Sequence, residues 1–499
     1  MSANGTSRAT MSLKRCARLS LIFASVLAAP AAMAQTAETD LIFAVTSDYS
    51  VSGSCASIDV LPMWSVEMGL APVHSDAIAR VYEGLVYVVN RLYADNIQVL
   101  DPSDGFSTLR QFSVGPGTNP KDIAFVSSTR AYVSRYETPW LLEVDPTAGA
   151  ITDSIDLSVF ADGDGLPESA TMAVVGDHLY VSIQRIDRDY YWQPVAPSWL
   201  AVIDTRTNTL VDVDAATPGM QGIELTATNP YTDILVDGDG ATLYVGESGG
   251  WTALDGGIEA IDTTTFTALG HVITEAELGG NIEDFTLPMD GRAHAAISVL
   301  SPSAEAFCVA FDWEEGSLLE TVWRPGEWSV PDIELHRGTG QLFVVDRTYT
   351  APGVRVFDAG TGTQLAGLLD VGLPPHDLVL LGDAVTSVPD GATEGQSAVD
   401  GPAALRLLAS PNPSWGEVML TLVGSGADRT SSIGIIIHDV GGRVVRELGS
   451  DDARGAGVLR WDGRDASGRR VASGVYFARV AGGTSGADAG AVARILILR

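Results

Sequence analysis

Residues 119–145 read NPKDIAFVSSTRAYVSRYETPWLLEVD, and this stretch decides the fold. An Asp opens a short apolar run at 122–126, a polar turn follows, and two further runs come at 131–134 and 141–145. Each run is too short for a helix, is rich in β-branched or aromatic residues, and is bounded by turn residues. The stretch therefore predicts three consecutive strands of an antiparallel meander.

The same pattern returns along the chain at a spacing of about 50 residues, which is typical of stacked or circular repeats. Five copies open with an Asp before the first strand: Asp76, Asp122, Asp233, Asp284 and Asp332. A sixth, divergent copy carries Thr171 in this region instead. In each copy a second strand such as LVYVVN (85–90) and a third strand ending in Asp follow.

A seventh copy is split between the two ends of the repeat region. Residues 374–381, PPHDLVLL, supply an opening strand with nothing after it, whereas 41–48 and 55–60 supply second and third strands with nothing before them. A ring of seven four-stranded blades, closed by mixing strands from both ends, accounts for both remnants and hides the sheet edges. The sequence therefore predicts an all-β chain with a seven-bladed β-propeller over residues 40–382.

The second-strand runs LVYVVN (85–90) and TLYVGE (242–247) resemble those of the YVTN/YncE-type seven-bladed β-propellers. The resemblance covers residues 40–382 and rests on the repeat pattern, not on a catalytic motif. It implies the propeller fold, and a fold alone does not imply a function.

The first 34 residues have the pattern of a secretory signal peptide. They contain four basic residues and no acid, and the apolar run LIFASVLAAPAAMA ends them. A basic segment, a short apolar core and small residues before the cut predict export, to the medium or the cell surface. No later stretch reaches 18 uninterrupted apolar residues, so no transmembrane helix is expected.

The net charge of the chain is −33. A surface this acidic repels nucleic acid and anionic lipid, so nucleic-acid binding is excluded. After the leader only Cys55 and Cys308 remain, and the blade count places them in blades one and six, too far apart for a disulfide. We expect both to be buried free cysteines in a monomeric protein.

Propeller topology fixes which loops share a face. The loops before the first strands and the loops between second and third strands lie at one end of the channel, which we call the loop mouth. The recurring aspartates at the strand entrances are interpreted as acceptors of backbone N–H groups that join neighbouring blades, because a catalytic residue would occur in one blade only. The arginines that follow second strands are candidates for ligand binding: Arg91, Arg135, Arg185 and Arg347.

Two insertions break the repeat symmetry. Blade four carries residues 185–199, with Tyr190, Tyr191 and Trp192, and blade five carries 247–257, with Trp251. We expect the two loops to be neighbours at the loop mouth. Aromatic faces beside acids and arginines suit a sugar ring, a peptide or a partner loop. Alternatively, the rings pack on one another and cap the channel.

Candidates for metal binding and catalysis are few. Asp162, Asp164 and Glu168 surround a Gly-rich turn and could supply carboxylates to Ca²⁺, although the full twelve-residue calcium-loop pattern is absent. His74 and His376, from neighbouring blades at the loop mouth, are the best pair for acid–base chemistry. Motifs for a nucleophile elbow or a phosphate loop are absent from the sequence.

Beyond a polar linker at 383–404, the sequence changes to alternating strands and Gly-rich turns, which predicts a small β-sandwich over 405–499. This segment resembles the Ig-like C-terminal domain of the flagellar hook-capping (FlgD-like) type and related sorting domains of secreted bacterial proteins. The motifs that carry the resemblance are SPNP (410–413), DVGGRVV (439–445), WDGRD (461–465) and SGVYF (473–477). The resemblance implies an export address, a surface attachment or an assembly element, cleaved or retained.

Two function classes follow. The favoured one is an exported propeller that binds a glycan or a protein at the loop mouth and is addressed or tethered by its C-terminal domain. The alternative is a secreted metal-dependent lactonase or lyase. The sequence favours the first, because repeated aspartates and missing catalytic motifs are expected of a binding protein.

Overall fold

The computed structural model describes residues 40–300 and 303–382. In the C-terminal segment it describes 406–410, 418–423, 434–439, 443–449, 453–455, 458–472, 474–481 and 492–497. The predicted signal peptide (1–34) and linker (383–404) lie outside these ranges. No helix in the described parts is long and apolar enough to span a membrane.

The ring closes by pairing strands from its two ends. Strands β1 (Leu41–Ser47), β2 (Ser52–Asp59) and β3 (Val66–His74) form blade one together with β30 (Pro375–Leu381), in the order β3-β2-β1-β30. Strand β30 runs antiparallel to β1, with Val379 opposite Phe43 and Leu378 opposite Ala44. The predicted mixed-strand closure is confirmed.

Six further sheets complete the seven blades. Blade two contains β4 (Ala77–Tyr82), β5 (Leu85–Asn90), β6 (Asn96–Asp101) and β7 (Ser107–Ser113), with a 3₁₀ turn at Pro102–Asp104. Blade three contains β8 (Pro120–Ser127), β9 (Arg130–Arg135), β10 (Trp140–Asp145) and β11 (Ala150–Asp156), followed by a 3₁₀ turn at Ser158–Phe160. Blade four contains β12 (Ser169–Val175), β13 (His178–Ile183), β16 (Trp199–Asp204), β17 (Thr209–Leu210) and β18 (Ile223–Glu224), and its insertion forms the hairpin β14 (Ile186–Asp187) and β15 (Gln193–Pro194).

The remaining blades follow the same order. Blade five contains β19 (Leu235–Val236), β20 (Thr242–Glu247), β21 (Gly257–Asp262) and β22 (Thr267–Thr274), and helix α1 (Glu275–Leu278) follows it. Blade six contains β23 (Asn281–Phe285), β24 (Arg292–Val299), β25 (Glu305–Asp312) and β26 (Ser317–Trp323). Blade seven contains β27 (Ile333–His336), β28 (Gln341–Asp346) and β29 (Gly353–Asp358), and residues 364 and 369 add isolated bridges to β29.

Apolar side chains fill the spaces between adjacent blades. Between blades one and two, for example, Phe43 stacks on Phe106 with ring centroids 5.2 Å apart, and Ala77 and Val86 complete the cluster. The middle strands are covered on both faces, which is why they read as continuous apolar runs. Cys55 and Cys308 are buried and free, as predicted.

The recurring aspartates join successive blades through their backbones. Four of them accept a hydrogen bond from a backbone N–H of the first strand of the next blade: Asp377 from Ala79 (2.8 Å), Asp122 from Met172 (2.8 Å), Asp284 from Ile333 (3.0 Å) and Asp332 from Leu378 (2.6 Å). Asp76 and Asp233 instead pair with Arg91 and Arg80. In the divergent blade four, the Thr171 hydroxyl donates to the carbonyl of Thr232 (2.8 Å). The structural interpretation is confirmed for the four aspartates that contact the next blade.

The C-terminal segment is a two-sheet β-sandwich. Its sheets contain β31 (Arg406–Ser410), β32 (Val418–Val423), β35 (Ala453–Gly455) and β36 (Val458–Trp461) on one side, and β33 (Gly434–Asp439), β34 (Val444–Leu448), β37 (Gly474–Ala481) and β38 (Val492–Ile497) on the other. Trp461 is fully buried, packs against Tyr476 with ring centroids 5.5 Å apart, and donates its indole N–H to the carbonyl of Arg464.

Candidate functional site

A cluster of charged side chains from blades one, two and seven occupies the loop mouth. The Nε2 atom of His376 lies 3.0 Å from Nη2 of Arg91, and its Nδ1 lies 3.3 Å from Nη1 of Arg347. Arg91 also forms an ion pair with Asp76. Three of the predicted site residues, Arg91, Arg347 and His376, are therefore brought together from distant parts of the chain.

The electrostatics of this cluster are dominated by positive charge. Burial, together with Arg91 and Arg347, lowers the pKa of His376 to about 3, so its imidazole is neutral at neutral pH. Burial and the neighbouring Arg91 lower the pKa of Lys121 to about 8. Burial acts to raise the pKa of Asp76, but Arg91 and Lys121 lower it by more. The pKa of this carboxyl therefore lies below its usual value.

Two of these cations form no direct ion pair among the described residues, although Asp76 and Glu137 act on the charge of Lys121 at longer range. Arg347 donates to the Tyr49 hydroxyl (3.0 Å), and its guanidinium lies 4.8 Å from the centre of the Tyr49 ring. Lys121 lies 4.7 Å from the centre of the Tyr136 ring. Cations held by rings and by neutral imidazole keep their charge available to an anion, whereas cations in ion pairs do not.

Aromatic rings continue from the charged cluster across blades three, four and five. The guanidinium of Arg188 lies 5.6 Å from the centre of the Tyr136 ring and 5.3 Å from that of Trp192. The indole N–H of Trp251 donates to the backbone carbonyl of Trp192 (2.5 Å), and Tyr231 packs edge-on against Trp251. The prediction that the two insertions are neighbours is confirmed.

The tip of the blade-four hairpin projects its rings into solvent. Tyr190, Tyr191 and Trp192 are 64%, 82% and 50% exposed, and Tyr231 beside them is 41% exposed. Tyr190 packs edge-on against Tyr191, with ring centroids 5.6 Å apart, but the rings remain exposed and so do not form a closed cap. Exposed aromatic faces next to cations form a surface suited to a ring-shaped polar ligand.

Arg135 and Arg185 are engaged in the fold. Arg135 is buried and donates to the backbone carbonyls of Trp140 (2.9 Å) and Val114 (3.1 Å), which joins blade three to blade two. Arg185 donates to the carbonyl of Pro197 (2.7 Å) and so closes the base of the blade-four insertion. The structure thus assigns both arginines to backbone contacts within the protein.

His74 and His376 lie in different environments, and no hydrogen bond joins them. The Nδ1 atom of His74 accepts the backbone N–H of Asp76 (3.1 Å). The ring lines an open depression of about 440 Å³ between blades one and two, together with residues such as Pro72, Asn90 and Gln98. His376 is instead held between two guanidinium groups. The geometry does not support the predicted acid–base pair.

Two of the three candidate calcium ligands pair with an arginine. Arg188 lies 3.0 Å from Glu168 and 3.6 Å from Asp164, and it also pairs with Glu137 (2.5 Å). Burial raises the pKa of the Glu168 carboxyl to about 7. Asp162, Asp164 and Glu168 do not form a group with metal-ligating spacing in the described part of the chain. This geometry gives the calcium hypothesis no support, and calcium binding there stays a prediction.

Sequence reasoning did not identify Tyr49, Tyr136, Arg188 or Tyr231 as site residues. A positional signal was nevertheless present, because residues just before the recurring aspartates, such as Lys121 and His376, line the loop mouth. Tyr231, two positions before Asp233, occupies the equivalent part of blade five. Glu283, directly before Asp284, is the first cause of the raised pKa of the Tyr231 hydroxyl.

Comparisons with known proteins agree with the two-part architecture. Residues 418–486 match the family model described as FlgD Ig-like domain, which lies within the predicted 405–499 segment. No curated protein sequence matches the chain. The FlgD-like resemblance of the C-terminal segment is therefore confirmed.

Solved structures similar to the chain are propeller-type proteins. A candidate 6-phosphogluconolactonase from Bacteroides fragilis is 14% identical, with a TM-score of 0.50, over 69% of this chain and 99% of that one. PorZ, a surface component of the type-IX secretion system of Porphyromonas gingivalis, is 15% identical, with a TM-score of 0.44, over 90% of this chain and 64% of that one. Likeness at this level concerns the fold alone, so the YVTN/YncE-type assignment stays a prediction.

Proposed function

We propose that the protein is an exported binding protein whose loop mouth takes an acidic saccharide. The observation that carries the proposal is the pair of cations without a direct ion pair, Arg347 and Lys121, beside the exposed rings of the blade-four hairpin. A carboxylate of the ligand would bind the cations, and a sugar face would stack on the rings.

The charge distribution favours an anionic ligand over a neutral one. The chain as a whole carries −33, so a cluster of cations at one mouth is a local reversal of charge. Buried or partly buried cations gain most from an anion that replaces their lost water. A cleft lined by charges of one sign also raises the local concentration of oppositely charged ligands.

A binding role fits this site better than the lactonase or lyase alternative. A general base is most effective when its pKa lies near the working pH, and the pKa of His376 is about 3. Its two ring nitrogens also face guanidinium groups, so the acceptor nitrogen of neutral His376 has an arginine N–H beside it. A neutral imidazole has one acceptor nitrogen, so His376 accepts a hydrogen bond from one of the two guanidinium groups and helps to orient that group.

Export and the FlgD-like segment fit this function. A signal peptide at 1–34 would deliver the protein outside the cytoplasm, and the C-terminal sandwich would address or tether it at the cell surface. The exposed mouth would then meet polysaccharides of the surroundings. This placement is part of the proposal.

The test is a calorimetric titration of the mature chain with trigalacturonate, an acidic trisaccharide, and with the neutral maltotriose. We expect saturable binding of the acidic sugar only. Arg347→Gln should weaken it at least about tenfold, because a hydrogen bond to a charged group contributes about 1.5–3 kcal/mol. Arg110→Gln, which changes an exposed arginine of blade two, is the matched control. Equal affinity for both sugars, or no effect of Arg347→Gln, would contradict the proposal.

A further inference from the structure

Two glutamates and a histidine meet inside blade five, away from the cations of the loop mouth. Glu247 ends β20, Glu259 lies in β21 and His271 in β22, and one ligand atom from each lies within 4.8 Å of the others. Both glutamates are fully buried, and the His271 side chain is 13% exposed. Among the described residues this is the group with metal-ligating spacing.

The two carboxylates of this group face each other. Oε2 of Glu247 accepts the backbone N–H of Ala227 (2.9 Å) and lies 2.7 Å from Nε2 of His271. Its Oε1 is buried and accepts no hydrogen bond from a protein donor, and the side chain of Glu247 is in hydrogen-bonding contact with Glu259. Two buried carboxylates in contact repel each other unless a proton or a cation lies between them.

The surrounding loop holds the carboxylates in place. Thr226 donates its backbone N–H to Oε2 of Glu259 (2.8 Å) and its hydroxyl to Oε1, and Ala227 holds Glu247 from the same loop. Such outer contacts orient the ligands of protein metal sites. Thr226 itself is exposed, so the group lies directly beneath the surface and a cation has a short path to it.

We propose that Glu247, Glu259 and His271 bind one divalent cation of the Zn²⁺ class. One imidazole nitrogen and two carboxylates are ligands that Zn²⁺ accepts in proteins, whereas Ca²⁺ takes six to eight oxygens. Three protein ligands would leave the fourth position to a water molecule. Because both glutamates are fully buried, we infer a structural role for the cation. Glu247 begins the loop that carries Trp251, so the cation would fix the base of this part of the loop mouth. The site is independent of the proposed saccharide binding.

The test is a calorimetric titration of the chelator-treated, tag-free mature chain with Zn²⁺ at pH 7. We expect one Zn²⁺ site per chain. Co²⁺ in place of Zn²⁺ should give visible absorption bands. Glu247→Gln, an uncharged variant of the same size, should weaken Zn²⁺ binding at least about tenfold and remove the Co²⁺ bands.

Glu224→Gln is the matched control, because Glu224 is exposed in the neighbouring strand β18. The Tm without metal checks that Glu247→Gln, which keeps the size of the side chain, folds as well as the parent. A Zn²⁺ affinity or a Co²⁺ spectrum that Glu247→Gln leaves unchanged would overturn the proposal. Absence of any site in the parent chain would overturn it equally.

Discussion

Arg80 in blade two and Asp233 in blade five form an ion pair, with 2.6 Å between Nη2 and Oδ1. Blades two and five are not neighbours, so this contact crosses the central channel. Arg80 also donates from Nε to Asp122 of blade three (2.7 Å). One guanidinium thus links the inner strands of three blades.

Arg80→Met should destabilise the propeller. The substitution leaves the Asp122 carboxylate buried without its cation, which typically costs about 3 kcal/mol. Asp233 is more exposed and should contribute less. Urea unfolding followed by tryptophan fluorescence measures the loss. Arg110→Met, a substitution of an exposed arginine, should stay within about 0.5 kcal/mol of the parent. Equal stability of the two variants would show that Arg80 has no structural role.

Stability should rise as the pH falls from 8 toward 5.5. Burial raises the pKa of Asp284 and Asp377 to about 7 and of Glu334 to about 8. A carboxyl with a raised pKa in the folded state makes its full contribution to the free energy of unfolding below its unfolded-state pKa of about 4. This contribution is lost as the pH rises through 7–8. His376, whose folded-state pKa is lowered, acts in the opposite direction below pH 6.5.

Glu334→Gln tests this pH dependence. The neutral amide removes the cost of ionising the buried carboxyl, so the Tm at pH 8 should increase by about 2 °C or more. At pH 5 the parent and variant should differ less. Calorimetric scans of parent and variant at pH 5 and pH 8 measure these differences in Tm. A parent Tm that increases steadily from pH 5.5 to 8 would contradict the assignment.

Closure of the ring should depend on Asp332. Its carboxylate accepts the N–H of Leu378, in the strand that joins the chain ends. Asp332→Ala leaves this buried donor unpaired and should cost about 1–3 kcal/mol. Asp332→Asn keeps an acceptor and should cost less. Hydrogen exchange should show lost protection in β30 and β1 first. A uniform loss of protection over all blades would argue against a local role of Asp332 in closing the ring.

The hairpin tip should be removable without harm to the fold. Tyr191 and Trp192 have φ angles of 53° and 56°, a region that glycine adopts readily. Replacing residues 190–192 by Ser-Gly-Gly keeps the backbone carbonyl that Trp251 contacts. We expect an unchanged Tm and at least tenfold weaker trigalacturonate binding, since each stacked ring contributes to affinity. Unchanged affinity would assign the rings no part in binding.

Binding should also weaken above pH 8. Lys121, with a pKa of about 8, loses its charge between pH 7 and 9.5. Affinity for the acidic trisaccharide should therefore fall over this range. In Lys121→Gln the fall should disappear, and a titration series at three pH values would show it. A pH response that persists in Lys121→Gln would point to another group.

The fold could be predicted from the sequence because ring closure leaves unpaired strand segments at both ends of the repeat region. The unmatched runs at 374–381 and 41–60 could pair only with each other, and the recurring aspartates indicated a structural role through their repetition. Arg80 gave no such signal: it is one polar residue in an inner strand, and its partners come from other blades.

The candidate site was predictable only in part. Residues that follow second strands were expected at the loop mouth, but spacing does not say which side chains turn inward. Arg91 and Arg347 meet at His376, whereas Arg135 turns to backbone carbonyls. The group of Glu247, Glu259 and His271 escaped prediction because its members come from three successive strands and have no fixed sequence spacing.

The most direct test of the central claim is a crystal structure of the mature protein with trigalacturonate. The account predicts a sugar carboxylate within about 4 Å of the guanidinium of Arg347 or the amine of Lys121, with a sugar ring against Trp192 or Tyr190. An ordered trisaccharide elsewhere, such as in the depression lined by His74, would contradict it.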